Sequence, residues 1–216
     1  MRVTISGGTS IDADLLLVAV GRGPVTEGLG YAEQGIAMDR GFVLADDRLR
    51  TSVPHVYALG DIVPGFQLAH RGFAQGIMVA EQIAGLNPPA IEENGIPRIA
   101  YCDPEVASVG LTEAKARDRY GDAVETFTYD LAANPKSQIL RTAGFVKMIR
   151  VKDGPVVGVH LVGSRVSELV AEAQLIYNWE AFPADVAALI HPHPTQSEAL
   201  GEASLALAGK PLHVHG

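Results

Sequence analysis

Six consecutive apolar residues, Leu15-Leu16-Leu17-Val18-Ala19-Val20, run into the breaker cluster Gly21-Arg22-Gly23-Pro24, and no other feature restricts the fold of this chain as much. An unbroken run of this length reads as a strand buried on both faces, the pattern of α/β sheets. It falls far short of the ~18 apolar residues of a membrane span, and with no basic-then-apolar leader ahead of it, neither a span nor a signal peptide is expected. Val3 to Ile5 and the Gly7-Gly8 turn predict a hairpin with it. The chain reads as a strand from its first residues, as though it begins inside a fold.

Further along, Val43-Leu44 and Leu49-Arg50-Thr51 are short strand candidates around Asp46-Asp47, and Val56-Tyr57-Ala58-Leu59 reads as another buried strand stopped by Gly60-Asp61. Ala69, Phe73, Ile77, Ala80 and Ala84 stand at helical spacing and predict a helix from about Leu68 to Ala84, ended by Gly85 and Asn87-Pro88-Pro89. Residues Pro89–Pro97 read as a linker. Beyond them the rhythm changes. Strands are expected at Arg98–Tyr101, Val106–Val109, Val124–Tyr129, Phe145–Val151 and Val156–Val162, the last two joined by a Lys152-Asp153-Gly154 turn. Helices are expected after Thr112, through Ser167–Trp179 and Ala184–Ile190, and again after Pro194. Strands followed by helices point to an α+β domain with helices on one face of an antiparallel sheet.

The 216 residues allow one large domain or two small ones. A formal charge of −8 argues against a grip on nucleic acid, which needs clustered Lys and Arg. The single cysteine, Cys102, excludes an intrachain disulfide framework and a cysteine metal cluster, and points to a reducing compartment such as the cytoplasm. Cys102 has no His or Lys near it in sequence and reads as structural. His213 and His215 form a short tail that reads as a metal pair or, more in keeping with a chain end, as frayed; no metal site is expected. The glycines near residues 21–30 do not form a G-x-G-x-x-G opening a helix, and there is no P-loop, nucleophile elbow or Cys-x-x-Cys. A self-contained nucleotide-binding enzyme is not visible.

Three local patterns carry chemistry, each with a plainer reading beside it. Gly60 and Asp61 end a predicted strand, where α/β sheets bind ligands; the Asp would accept from a sugar or ribityl hydroxyl, or merely make a turn. Leu68-Ala69-His70-Arg71 opens a helix, whose first N–H groups suit electronegative ligand atoms or simply meet water. In His191-Pro192-His193-Pro194-Thr195-Gln196-Ser197-Glu198, Thr195 and Glu198 fit a capping box. The same spacing lets Glu198 turn back to the His193 imidazole, and a His–Glu pair is what a thiol-deprotonating base requires.

Taken in order, these segments resemble the carboxyl-terminal half of the dihydrolipoamide dehydrogenase family, within the pyridine-nucleotide disulfide oxidoreductases. The resemblance rests on Asp14 to Pro24, Thr51 to Asp61, Leu68-Ala69-His70, Asp103 to Gly110 and His191 to Glu198, and spans nearly the whole chain. The His-x-His-Pro-Thr form is closer to that family than to its glutathione-reductase-like cousins, which remain the alternative substrate class. A non-catalytic dimerisation module is the alternative of another kind.

The resemblance implies an α/β remnant of the FAD- and NAD-binding domains followed by an α+β interface domain with an antiparallel sheet. Residues 1–24 would end the NAD domain, 25–95 would return to the FAD domain, and 96–216 would form the dimerisation domain. It implies FAD and NAD as cofactors, both held mainly by an amino-terminal half that carries the flavin fingerprint and redox cysteines. Gly21 would approach NAD; Asp61, Gln67, Leu68, Ala69 and His70 would line the flavin; His193 would be the acid–base residue and Glu198 its orienting partner, with the His193-Pro194 bond cis. Gln67 and Gln196 depart from the Met or Leu common in the family. A homodimer and the lipoyl domains of 2-oxoacid dehydrogenase complexes are the implied partners, and redox homeostasis the implied context. The 216-residue chain alone is expected to be inactive.

Overall fold

A computed structural model describes residues 1–213, which fall into two compact units, Met1–Ala90 and Ile91 onward. In the first unit β1 (Arg2–Thr4) pairs antiparallel with β2 (Ser10–Asp12) across the Gly7-Gly8 turn. The partner of the first strand is therefore not the apolar run. Leu15 to Val20 carries no ladder at all and is exposed throughout, Val20 to 94%. A two-faced apolar strand needs neighbours for its N–H and C=O groups and cover for both faces, and the first unit supplies neither. A second hairpin, β3 (Met38–Asp39) with β4 (Phe42–Val43), turns at Arg40-Gly41. The strand expected over Val56–Leu59 is reduced to one bridge, Arg50 to Tyr57, although Ala58 is buried with Val43 and Val63 in a small core.

Helix α1, Ala69–Ile83, lies where the spacing places it. Its buried side chains are Arg71, Gln75, Met78 and Val79, whereas Phe73 and Ile77 of the apolar stripe are 72% and 62% exposed. The periodicity thus identified the helix but not the side it buries in this chain.

The second unit is built on a five-stranded antiparallel sheet. Its strands are β5 (Arg98–Ala100), β6 (Glu105–Gly110), β7 (Val124–Asp130), β8 (Phe145–Val151) and β9 (Val156–Gly163), in the spatial order β5-β6-β9-β8-β7. Helices α2 (Glu113–Tyr120), α3 (Pro135–Leu140), α4 (Val166–Asn178), α5 (Pro183–Ala187) and α6 (Glu198–Leu207) complete the unit. Alternation along β8 sends Val146 and Met148 to one face and Lys147 and Ile149 to the other. On the first face these residues join Ala107, Val109, Val159 and Leu161 beneath Val170 and Ile176 of α4, Val186 of α5, and Leu200 and Ala203 of α6. On the second face Ile149 and Val157 pack with Leu111 and Ala116, and Lys147 pairs with Glu113 of α2.

The expectation of helices on one face is therefore corrected: α2 covers the other, because strands apolar on both sides require two covers. Gly158 is where β9 passes under this second layer; a Cβ there would stand 2.1 Å from the Leu111 carbonyl oxygen. Helix α3 was not read from the sequence, since six residues behind a proline show no period.

Asp103-Pro104 and His193-Pro194 are cis. No helix among the described residues is long and apolar enough to cross a membrane. Leu161 is fully buried in the larger core, so Leu161→Ala is expected to destabilise the second unit by about 2–5 kcal/mol, measured as a fall in the urea midpoint with unchanged slope.

Candidate functional site

The segment between α5 and α6 brings the expected pair together. His193 Nδ1 lies 2.9 Å from Glu198 Oε1, and the other carboxylate oxygen, Oε2, accepts the Thr195 N–H at 2.8 Å. One carboxylate thus holds both the imidazole and the backbone between the two residues. Glu198 is an acceptor only, so it selects the tautomer with the proton on Nδ1 and leaves Nε2 as the basic nitrogen. Nε2 makes no hydrogen bond among the described residues, and the His193 side chain is 67% exposed.

The expected capping box forms by half. Glu198 takes the Thr195 N–H, but the Thr195 hydroxyl donates to the Pro192 carbonyl at 2.6 Å instead of accepting from the helix. Helix α6 accordingly starts at Glu198 with Ser197 at its cap position, two residues later than a Thr195 cap would place it. Burial works against ionisation of Glu198; the Thr195 N–H, the His193 hydrogen bond and the charges of His193 and His213 outweigh it, so its carboxyl titrates below the ordinary value. Tyr129 is pushed up to about 12, first by burial and then by the negative charges of Glu202, Glu198 and Asp130. It stays protonated and does not compete as a base.

Sequence reading missed the partner of the first histidine in the motif. His191 Nε2 lies 2.8 Å from Glu172 Oε1 on α4, and its ring packs so closely on α6 that a Cβ at Gly201 would stand 2.6 Å from Nδ1. The only signal for Glu172 was its place on the helix, 19 residues away. The Glu172 hydrogen bond, opposed by burial and helped by the charges of Glu172 and Glu198, raises the His191 pKa. His213, expected to fray, instead sets its Nδ1 2.7 Å from Glu202 Oε1; His215 lies outside the described residues. No group of three or more His, Cys, Asp or Glu among the described residues is arranged to hold a metal ion. Cys102 is a free, exposed thiol whose Sγ lies 3.1 Å from the Pro104 carbonyl oxygen.

The flavin-side candidates lie in the first unit. Asp61 is exposed and its carbonyl accepts from Gln67 Nε2 at 3.2 Å; Leu68 is the cap residue of α1, with no side-chain cap bond. Asp61, Gln67, Leu68, Ala69 and His70 thus gather around one loop and one helix start. The residues that hold this loop were not anticipated. Gln75 Oε1 accepts the Gly60 N–H at 2.7 Å, and Arg71 donates to the Pro64 carbonyl at 2.8 Å, packed where a Cβ at Gly65 would collide with its guanidinium. Arg71 and Gln75 are four apart on the buried side of α1, which reads from sequence as an ordinary polar face. Gly21 ends the exposed 15–20 segment at φ +135°, with open space where a Cβ would stand.

Residues 96–204 match the family described as pyridine nucleotide-disulphide oxidoreductase, dimerisation domain, and residues 1–76 match pyridine nucleotide-disulphide oxidoreductase. The chain belongs to the pyridine nucleotide-disulphide oxidoreductases. Within that family it is 41% identical over 208 residues to dihydrolipoyl dehydrogenase of Bacillus subtilis (strain 168), an alignment covering 95% of this chain and 44% of the relative. Among solved structures it resembles LpdA from Mycobacterium tuberculosis, with a TM-score of 0.86, 26% identity, and coverage of 95% of this chain and 45% of that one. The HOCl-induced flavoprotein disulfide reductase RclA from Escherichia coli aligns with a TM-score of 0.83 at 25% identity, covering 94% and 47%. This member of the disulphide oxidoreductases therefore spans less than half the length of the relatives it matches.

The His191–Glu172 pair yields a signed pH dependence. The folded-state pKa of His191 lies above its ordinary 6.5. The pair's stabilisation is thus complete below about pH 6.5 and is lost as pH rises through the folded value. His191→Gln is expected to lower the urea midpoint more at pH 5.5 than at pH 8.5. A penalty equal at both values would show that the pair is not linked to folding.

Proposed function

We propose that the chain is the carboxyl-terminal part of a flavoprotein that oxidises dihydrolipoamide to lipoamide with NAD. The observation carrying this reading is the His193–Glu198 pair, 2.9 Å apart with Nε2 left unengaged. A thiol attacks a disulfide only as its thiolate, so the reaction needs a base close to neutral pH. His193 would take the thiol proton at Nε2, and Glu198 would stabilise the imidazolium and keep the ring oriented. The identity to dihydrolipoyl dehydrogenase supports lipoamide over the glutathione-like substrates of related disulfide reductases.

The residues of the first unit fit a flavin. An exposed Asp61 carboxylate offers an acceptor to a hydroxylated chain, and the helix start at Leu68–His70 offers backbone donors to an electronegative ring edge. Asp61, Gln67, Leu68, Ala69 and His70 would hold FAD, and Gly21 would let NAD approach the backbone. Bound there, the flavin would supply the two-electron chemistry that joins thiol oxidation to the nicotinamide. Residues 1–24 would then belong to the NAD domain, 25–95 to the FAD domain and 96–216 to the interface domain. The exposed apolar segment 15–20 and the Phe73–Ile77 side of α1 support this division, since both are surfaces that further sheet and helix would cover. A homodimer through the interface domain, lipoyl domains as partners and a cytoplasmic setting complete the reading.

The purified 216-residue chain is expected to be colourless and to form no NADH from dihydrolipoamide, having one cysteine and no flavin fingerprint. Activity from it alone would overturn the half-enzyme reading. In a full-length enzyme carrying this segment, His193→Ala is expected to lower turnover by about 10²–10⁴-fold with the flavin spectrum and dimer mass unchanged. Glu198→Gln is expected to cost less. Undiminished turnover in His193→Ala would reduce the motif to a helix start.

A further inference from the structure

Thr195 stands between the two members of the pair and is gripped at both ends. Its N–H goes to Glu198 Oε2 at 2.8 Å, and its carbonyl accepts from Asn134 Nδ2 at 3.0 Å, across 61 residues of chain. Asn134 is fully buried, just beyond β7, where its Oδ1 accepts the Ser137 N–H at 2.9 Å and the Ser137 hydroxyl at 3.2 Å. Gln196, also buried, reaches the same Ser137 hydroxyl at 3.5 Å.

Capping α3 needs only an acceptor, and Asp or Ser serves as well as Asn. A primary amide is more demanding, because an unpaired buried N–H costs about 1–3 kcal/mol. The side chain here is placed so that one end caps and the other donates, which neither Asp at neutral pH nor Ser can do at this span. The donated bond falls on Thr195, one of the four residues between His193 and Glu198 and the one whose N–H Glu198 itself accepts.

We propose that Asn134 is a positioning residue for the His193–Glu198 pair, acting through the Thr195 carbonyl. Its value for turnover rests on His193 being the base, but the positioning itself is a property of this chain. Without the Asn134 bond, the Thr195 carbonyl loses its tie to the β7–α3 connection, the Thr195 N–H bond to Glu198 and the Gln196 bond to Ser137 remain, and the His193 ring loses its fixed approach to Glu198.

The test uses the 216-residue chain labelled with ¹⁵N and observed by NMR at pH 8.5, where an ordinary imidazole is neutral. In the parent chain, the His193 nitrogens are expected to report the Nδ1–H form. Asn134→Ser and Asn134→Asp both retain a cap for α3. In each, the His193 signals are expected to move toward the Nε2–H form that free histidine favours, and the Thr195 amide to exchange about five- to tenfold faster, the effect of losing one hydrogen bond. If α3 capping is the whole role of Asn134, either variant will fold with the parent tautomer and the parent Thr195 exchange rate, and the proposal fails. Should neither variant fold, the parent chain decides. Slow exchange of the Asn134 Nδ2 proton, with a through-bond coupling to the Thr195 carbonyl, supports the proposal, and fast exchange without the coupling overturns it. None of these readouts depends on catalysis, so full turnover in the His193→Ala enzyme would remove the base and leave the positioning intact.

Discussion

A β-strand that is apolar on alternate residues of both faces has to be covered twice, and the second unit is organised around that constraint. Val146 and Met148 demand a layer on one side of β8, Ile149 on the other. Helices α4, α5 and α6 satisfy the first demand and α2 the second. Because α6 must lay Ala199, Leu200 and Ala203 on the sheet, its first residue, Glu198, is set at a definite height above it. The site inherits its geometry from core packing, where a side chain is hard to displace.

On that scaffold a single carboxylate governs the local chemistry. Two acceptor oxygens serve two donors, the Thr195 N–H and the His193 imidazole. A charge at the start of a helix is favourable in itself, and here it also fixes which imidazole nitrogen is basic. The neighbouring His191–Glu172 pair repeats the chemistry in a more enclosed place, with its ring against Gly201 and Nε2 already occupied. The two histidines of the motif, each bonded to a glutamate, therefore differ in access for a geometric reason: His193 has an open nitrogen directed outward, whereas His191 is locked between helices.

The first unit has a different character. Its polar residues Arg71 and Gln75 are buried to hold the Gly60–Gly65 loop, while Phe73, Ile77 and the Leu15–Val20 segment meet solvent. Burying a guanidinium and exposing apolar side chains runs against transfer energetics. Loop anchoring explains the first, and the second accords with the proposed reading, in which further sheet and helix would cover those side chains.

The antiparallel strands, α1 and α4 were legible because period and turn residues are local properties of the chain, whereas the cis His193-Pro194 bond was expected only from the family resemblance. The spacing of His193 and Glu198 was also readable, since five residues near a helix start confine two side chains to one neighbourhood. Three things were not. The run Leu15–Val20 spells a buried strand in one dimension, but burial belongs to whatever packs against it. The stripe on α1 marks a helix without saying which side faces protein. Glu172 and Asn134 reach the motif from 19 and 61 residues away, and no sequence period links residues at such separations. Local conformation follows from short-range sterics and hydrogen bonding, which each residue carries with it. Which distant amide meets the Thr195 carbonyl was decided only when the sheet and its helices closed, because that contact exists only in the packed chain.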